Sequence, residues 1–161
     1  MTFEEAVQAA PDPVNQAYRP GKQALKGEHR DKVTCKQPRR FTGSIDLEAA
    51  LIQDPATGPT NPWDYGIGFR ERSGEEVAIW IEVHPALTTE VSTFLRKYQG
   101  LRNWLSNEAP ALNALSQQSA NSRNFVWLAT GSGVHITPNS PQARQMALAG
   151  IELPRHRLEL R

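Results

Sequence analysis

Trp63-Asp64-Tyr65-Gly66-Ile67-Gly68-Phe69, then a Ser73-Gly74 turn, then Glu76-Val77-Ala78-Ile79-Trp80-Ile81-Glu82-Val83-His84: the fold is decided by how this stretch is read. Both runs are rich in aromatic and β-branched residues, and a Ser-Gly pair between two such runs predicts an antiparallel hairpin. The second run is apolar almost to its end, as expected of a strand covered on both faces, and Pro85 is expected to stop it. Side chains alternate faces along a strand. That alternation sets Trp63, Tyr65, Ile67 and Phe69 against Asp64, Gly66 and Gly68. It also sets Val77, Ile79, Ile81 and Val83 against Ala78, Trp80, Glu82 and His84. Asp64, Glu82 and His84 are therefore predicted to share one face of the sheet.

Upstream, Ser44-Ile45-Asp46-Leu47-Glu48 alternates and predicts a first strand, running into a helical turn through Ala49 to Ile52. Ile45 and Leu47 are expected on one face, and Ser44, Asp46 and Glu48 on the other. Gln53 to Pro62 reads as a loop. The chain opens with a helix, since Thr2 and Glu5 form a capping box and Phe3, Ala6, Val7 and Ala10 form its apolar stripe.

Downstream, Thr88 or Thr89 can cap a long helix whose Val91, Phe94, Leu95, Tyr98, Leu101, Trp104 and Leu105 recur at helical spacing. Ala109-Pro110 ends it, and Ala111 to Leu115 adds a short helix. Ser116 to Arg123 reads as a loop, and Asn124 to Thr130 as a fourth buried strand. Gly131-Ser132-Gly133 is expected to turn that strand toward a short Val134-His135-Ile136. Ser140 and Pro141 start a last helix that Gly150 ends, and Arg157 to Leu160 reads as an edge strand.

The whole chain sets the frame. Its 161 residues, 39% of them apolar, with four Trp, five Phe and three Tyr, predict one domain around one core. Within it lie a basic segment, 19–40, and a C-terminal addition, 134–161. The basic segment has eight Lys and Arg against Glu28 and Asp31, so it carries about +6 and the remainder about −5. Such a segment can steer a polyanion, or it can simply be a solvated helix and loop. A single cysteine, Cys35, excludes an internal disulfide and fits a reducing compartment. No apolar run reaches membrane-spanning length, and the acidic start lacks the features of a signal peptide. The expectation is a cytoplasmic protein with no membrane partner.

Charges inside a sheet are costly unless paired or bound to a cation. Asp64 and Glu82 on adjacent strands would offer hard oxygens suited to Mg²⁺ or Mn²⁺. Gly66 and Gly68 would leave the backbone approachable beside them. Glu82 reads equally as a metal ligand or as the partner of Arg70, Arg72 or Lys97 in a structural ion pair. His84 reads as a base, a ligand or a phosphate contact, or as a ring bonded to a backbone carbonyl.

The order helix, three strands, helix, strand, with Asp64 in the second strand and Glu82-Val83-His84 ending the third, resembles the PD-(D/E)XK superfamily of restriction-endonuclease-like nucleases. The resemblance spans Thr2 to Thr130. It implies an α/β fold with a restriction-endonuclease-like α-β-β-β-α-β core, a mixed sheet and flanking helices. It implies Asp64 and Glu82 as ligands of Mg²⁺ or Mn²⁺, with a further acid from Glu5 or, in its stead, Asp46 or Glu48. His84 stands where the superfamily has its catalytic lysine, and Lys97 on the following helix would be a relocated replacement. The chain departs from the pattern in reading Pro62-Trp63-Asp64 rather than Pro-Asp. The implied activity is metal-dependent cleavage of phosphodiesters in DNA or RNA. The alternative is a catalytically inactive domain of the same fold, serving as a binding, regulatory or protein-interaction module.

Overall fold

The structure, a computed structural model, describes residues 1–53, 61–117 and 124–161. Of the loops expected over Gln53–Pro62 and Ser116–Arg123, residues 54–60 and 118–123 lie outside the described residues, whereas Gln53, Ser116 and Gln117 are helical. Thr2 Oγ1 accepts from the Glu5 N–H and Glu5 Oε2 accepts from the Thr2 N–H, so the predicted capping box starts α1 (Phe3–Gln8). There follow α2 (Gly27–Arg30), β1 (Val33–Cys35), β2 (Phe41–Asp46), α3 (Leu47–Gln53), β3 (Tyr65–Arg70) and β4 (Glu76–Ala86). The chain continues with α4 (Val91–Glu108), α5 (Pro110–Gln117), β5 (Phe125–Val134), α6 (Pro141–Leu148) and β6 (Leu158–Leu160).

The fold is α/β, with a mixed sheet and flanking helices. Among the described residues the main sheet has four strands in the order β2-β3-β4-β5. β2 pairs antiparallel with β3, and β3 with β4, as the Ser73-Gly74 turn requires. β5 lies parallel to β4, because α4 and α5 carry the chain back to the end at which β4 began. Among the described residues no helix is long and apolar enough to cross a membrane.

Both faces of β4 are covered, as its composition predicts. One face meets α1, α4, α5 and α6 through a core that includes Phe3, Trp80, Phe94, Leu101, Leu105 and Trp127. Phe94 stacks on Trp127 with ring centroids 4.3 Å apart, a pairing worth about 0.5–1.5 kcal/mol beyond area burial. Trp80 Nε1 donates to Ser116 Oγ at 2.8 Å, which removes the one polar liability of a fully buried indole. The other face holds Tyr65, Ile67, Phe69, Ile79 and Ile81. It is closed by Leu25 and by a separate two-stranded parallel sheet of β1 and β6.

The departures from expectation have local causes. β2 starts at Phe41 and stops at Asp46, so Leu47 and Glu48 form the first turn of α3 instead of ending a strand. β3 begins at Tyr65 rather than Trp63. The Trp63 ring turns to the helical side, 5.1 Å from Phe94 and 5.9 Å from Phe125, and does not share the face of Tyr65. Pro85 does not end β4, which runs to Ala86. Beyond Ile81, β4 pairs only with β5, and a strand with one free edge tolerates a proline.

Gly131-Ser132-Gly133 makes no hairpin. Gly131 (φ 80°) and Gly133 (φ 137°) absorb a register shift opposite Pro85, and β5 continues to pair Val134 with Ala86. A 3-10 turn at Thr88–Glu90 precedes α4, whose cap position is Glu90, so neither threonine hydroxyl caps it. Ser140 does cap α6, its Oγ accepting from the Ala143 N–H at 3.1 Å. The predicted edge strand near Leu160 forms, but on β1 rather than on the main sheet.

Candidate active site: three carboxyls and one half-buried ammonium

Asp64 is the last residue before β3, and two backbone amides fix it. Its carbonyl accepts from the Leu47 N–H at 2.9 Å, tying it to the first turn of α3. Its Oδ2 accepts from the Val83 N–H at 2.8 Å, tying it to β4 one residue past Glu82. The β3–β4 ladder ends at the pair Tyr65–Ile81. That frees the Val83 amide for a side chain, and the carboxyls of Asp64 and Glu82 meet.

Glu48 is the third acid. The transition from β2 to α3 at Leu47 swings it over Asp64, and the two carboxyls are hydrogen-bonded to each other. Lys97 arrives from α4, its Nζ in direct contact with Glu82 Oε2. Glu82 is only 2% exposed. Its other oxygen, Oε1, is buried with no hydrogen-bond partner among the described residues.

The electrostatics follow from this crowding. Glu48 has its carboxyl pushed up by the hydrogen bond to Asp64, then by burial and by the Asp64 charge. Burial pushes Asp64 up, the hydrogen bond with Glu48 draws it down, and the neighbouring Glu82 carboxylate raises it again. The same hydrogen bond acts in opposite directions on the two carboxyls, raising Glu48 and lowering Asp64, and burial leaves both above the usual range. Below them Tyr65 is buried, and its phenol is pushed up to about 12 by that burial, with Asp46, Asp64 and Glu48 adding to it. Its hydroxyl lies 2.8 Å from His29 Nδ1.

The structure separates the remaining sequence candidates from this cluster. His84 Nε2 lies 3.0 Å from Glu90 Oε2, and the half-buried pair occupies the ring. The carbonyl of His84 accepts from Trp127 Nε1 at 3.0 Å. Asp46 pairs in register with Tyr65, and Tyr65 with Ile81, so it stands on the opposite face from Glu82. Its Oδ1 accepts from the Ala49 N–H at 2.9 Å and caps α3. Burial is the main reason its carboxyl lies above the usual range. Glu5 is exposed and occupied by its own capping box. Arg70 pairs with Glu76 at 3.1 Å, at the far end of β4, and Arg72 is exposed. Of the three cations considered as partners for Glu82, Lys97 is the one that reaches it.

Gly66 and Gly68 do not open the backbone to a ligand. A Cβ on Gly66 would lie 2.7 Å from Trp80 Cζ3, and one on Gly68 would collide with the Phe3 ring, so both are notches for aromatic packing. Glu90 was not foreshadowed. Its only sequence signal is its place four residues ahead of Phe94, on the turn that faces the end of β4.

Chemically, the cluster sets two hydrogen-bonded carboxyls beside a third that an ammonium contacts. Among the described residues no group of three or more His, Cys, Asp or Glu side chains forms a ready metal cage. No protein-family model, curated protein or solved structure matches the chain.

Proposed function

We propose that this protein is a divalent-cation-dependent phosphodiesterase acting on nucleic acid, with Asp64 and Glu82 as the cation ligands and Glu48 beside them. The observation that carries the reading is Glu82 Oε1, a carboxylate oxygen buried next to a second carboxyl with no hydrogen-bond partner among the described residues. Leaving such an oxygen unsatisfied costs about 1–3 kcal/mol or more for a charged group. A cation placed between Asp64 and Glu82 removes that cost and the carboxylate repulsion together. The two carboxyls offer the hard oxygens that Mg²⁺ or Mn²⁺ prefers.

When bound there, the ion would polarise a phosphodiester and lower the pKa of an attacking water. The rest falls to the chain. Asp64 is oriented by the Val83 amide, which fixes the direction of its oxygens. Glu48, hydrogen-bonded to Asp64, would stand beside the ion. Lys97 would be the ammonium available to a phosphate beside that ion. This supports Lys97, and not His84, in the role of the superfamily's lysine. The order α1, β2, β3, β4, α4, β5 resembles the restriction-endonuclease-like core and adds to the reading.

The contact between Lys97 and Glu82 also favours a second reading, a catalytically inactive domain in which the pair is structural. Incubation of end-labelled DNA and RNA with the protein and Mn²⁺ separates the two. Cleavage that disappears with Asp64→Asn and Lys97→Met is the expected result. Mn²⁺ binding without cleavage of either polymer would leave the inactive domain as the correct reading.

A further inference from the structure

At the other end of the main sheet the chain builds a second charged feature of opposite sign. A cavity of about 870 Å³ opens between the β1–β6 pair and the β3–β4 hairpin, and six cations line it: Lys36, Arg39, Arg40, Arg70, Arg72 and Arg161. Glu71 and Glu159 are the acids in its lining. Arg70 stands opposite Glu76 on β4, six residues from Glu82. At ~3.3 Å per residue, the cavity lies roughly 20 Å from the carboxyl cluster.

Two of the six cations are fixed and the others are uncommitted. Arg40 Nε donates to the Arg70 carbonyl at 2.7 Å and Nη2 to the Arg161 carbonyl at 3.3 Å, and its guanidinium lies over the Phe69 ring. Arg40 therefore clamps the hairpin to the strand pair and forms a rigid wall. Arg70 is held by Glu76. Lys36, Arg39, Arg72 and Arg161 are exposed, and none of their side chains has an ion-pair partner among the described residues. Gathering four uncommitted cations around one concavity costs Coulomb energy that folding alone does not recover.

We infer that this cavity is a binding site for closely spaced phosphates, distinct from the carboxyl cluster. Five of its six cations are arginines, whose forked donors engage phosphate oxygens in pairs. The concavity suits a compact polyanion better than a flat protein face. The phosphates can come from a nucleic-acid strand or from a free polyphosphate, and the same side chains serve both.

The test uses the full chain in EDTA, so that a cation at the carboxyl cluster plays no part. Fluorescence anisotropy follows labelled single-stranded oligothymidylate, with inorganic tripolyphosphate and a hexaglutamate peptide as competitors, and isothermal titration follows tripolyphosphate binding directly. Lys36→Gln/Arg72→Gln removes two uncommitted cations, and an unchanged melting curve shows that the variant is folded. The site predicts binding of the oligonucleotide, of tripolyphosphate, or of both, weakened at least tenfold in the double variant and unaffected by Asp64→Asn. Loss of salt dependence by roughly 0.7 in log–log slope per contact removed is expected for the strand. Binding of tripolyphosphate alone assigns the site to a free polyphosphate. Failure of both phosphate ligands to bind, equal binding by the double variant, or equally effective competition by hexaglutamate would overturn the inference.

Discussion

Lys97 reaches Glu82 from α4 and contacts one carboxylate oxygen, while the other oxygen of Glu82 is buried without a donor among the described residues. Half of this carboxylate is thus satisfied by the fold and half is not. Removing the ammonium should therefore expose the full cost of a buried charge. Lys97→Met is expected to destabilise the protein by about 3–5 kcal/mol, as for other broken buried pairs. Glu82→Leu added to Lys97→Met should recover most of that loss. Urea unfolding of the single and double variants checks both statements.

Stability should fall as pH rises through the acidic range. The folded-state affinities of Glu48 and Asp64 for protons are raised. Between the unfolded value near ~4 and the raised folded values, the native state binds more protons than the unfolded chain, so the slope of stability against pH is negative. The destabilisation is complete above the folded values and absent below the unfolded ones. Asp64→Asn keeps the acceptor for the Val83 amide and removes one charge. It should flatten this part of the profile and raise neutral-pH stability by about 0.5–2 kcal/mol, the scale of relieved functional strain. Denaturant titrations at a series of pH values measure the slope directly.

Gly66→Ala tests whether the glycines beside Asp64 serve packing. With Trp80 Cζ3 at 2.7 Å from the new Cβ, the substitution overfills the core. A loss of about 1–3 kcal/mol is expected, with cation binding by the folded variant unchanged. A ligand-approach role would show the opposite pattern, intact stability and lost binding.

His84→Gln separates this residue from the cluster. Its partner is Glu90, and the pair is about one-third exposed on both sides, so solvent screening limits its worth to about 0–1 kcal/mol. Affinity for Mn²⁺ and any cleavage should be retained.

The hairpin of β3 and β4 was legible because alternation, turn residues and composition agree there. The convergence of Asp64 and Glu82 followed from the same register. What sequence could not place lies where one element changes into another. Asp46 and Glu48 alternate as if both were in a strand, but the chain turns helical at Leu47. That turn sends Glu48 to the cluster and leaves Asp46 capping α3 on the other side. Trp63 reads as a strand residue until the room for an indole between Phe94 and Phe125 pulls it across. His84 lies correctly on its strand, but Glu90 belongs to a turn that no periodicity announces. Lys97 was one of three cations that spacing allowed for Glu82, and only the packing of α4 selects it.

The central claim is that Asp64 and Glu82 form a cation site. Isothermal titration of Mn²⁺ into the native protein at neutral pH, alongside Asp64→Asn and Glu82→Gln variants verified as folded, tests it most directly. The predicted result is one saturable binding event, abolished in both variants. No saturable binding to the native protein, or equal binding by both variants, would contradict it.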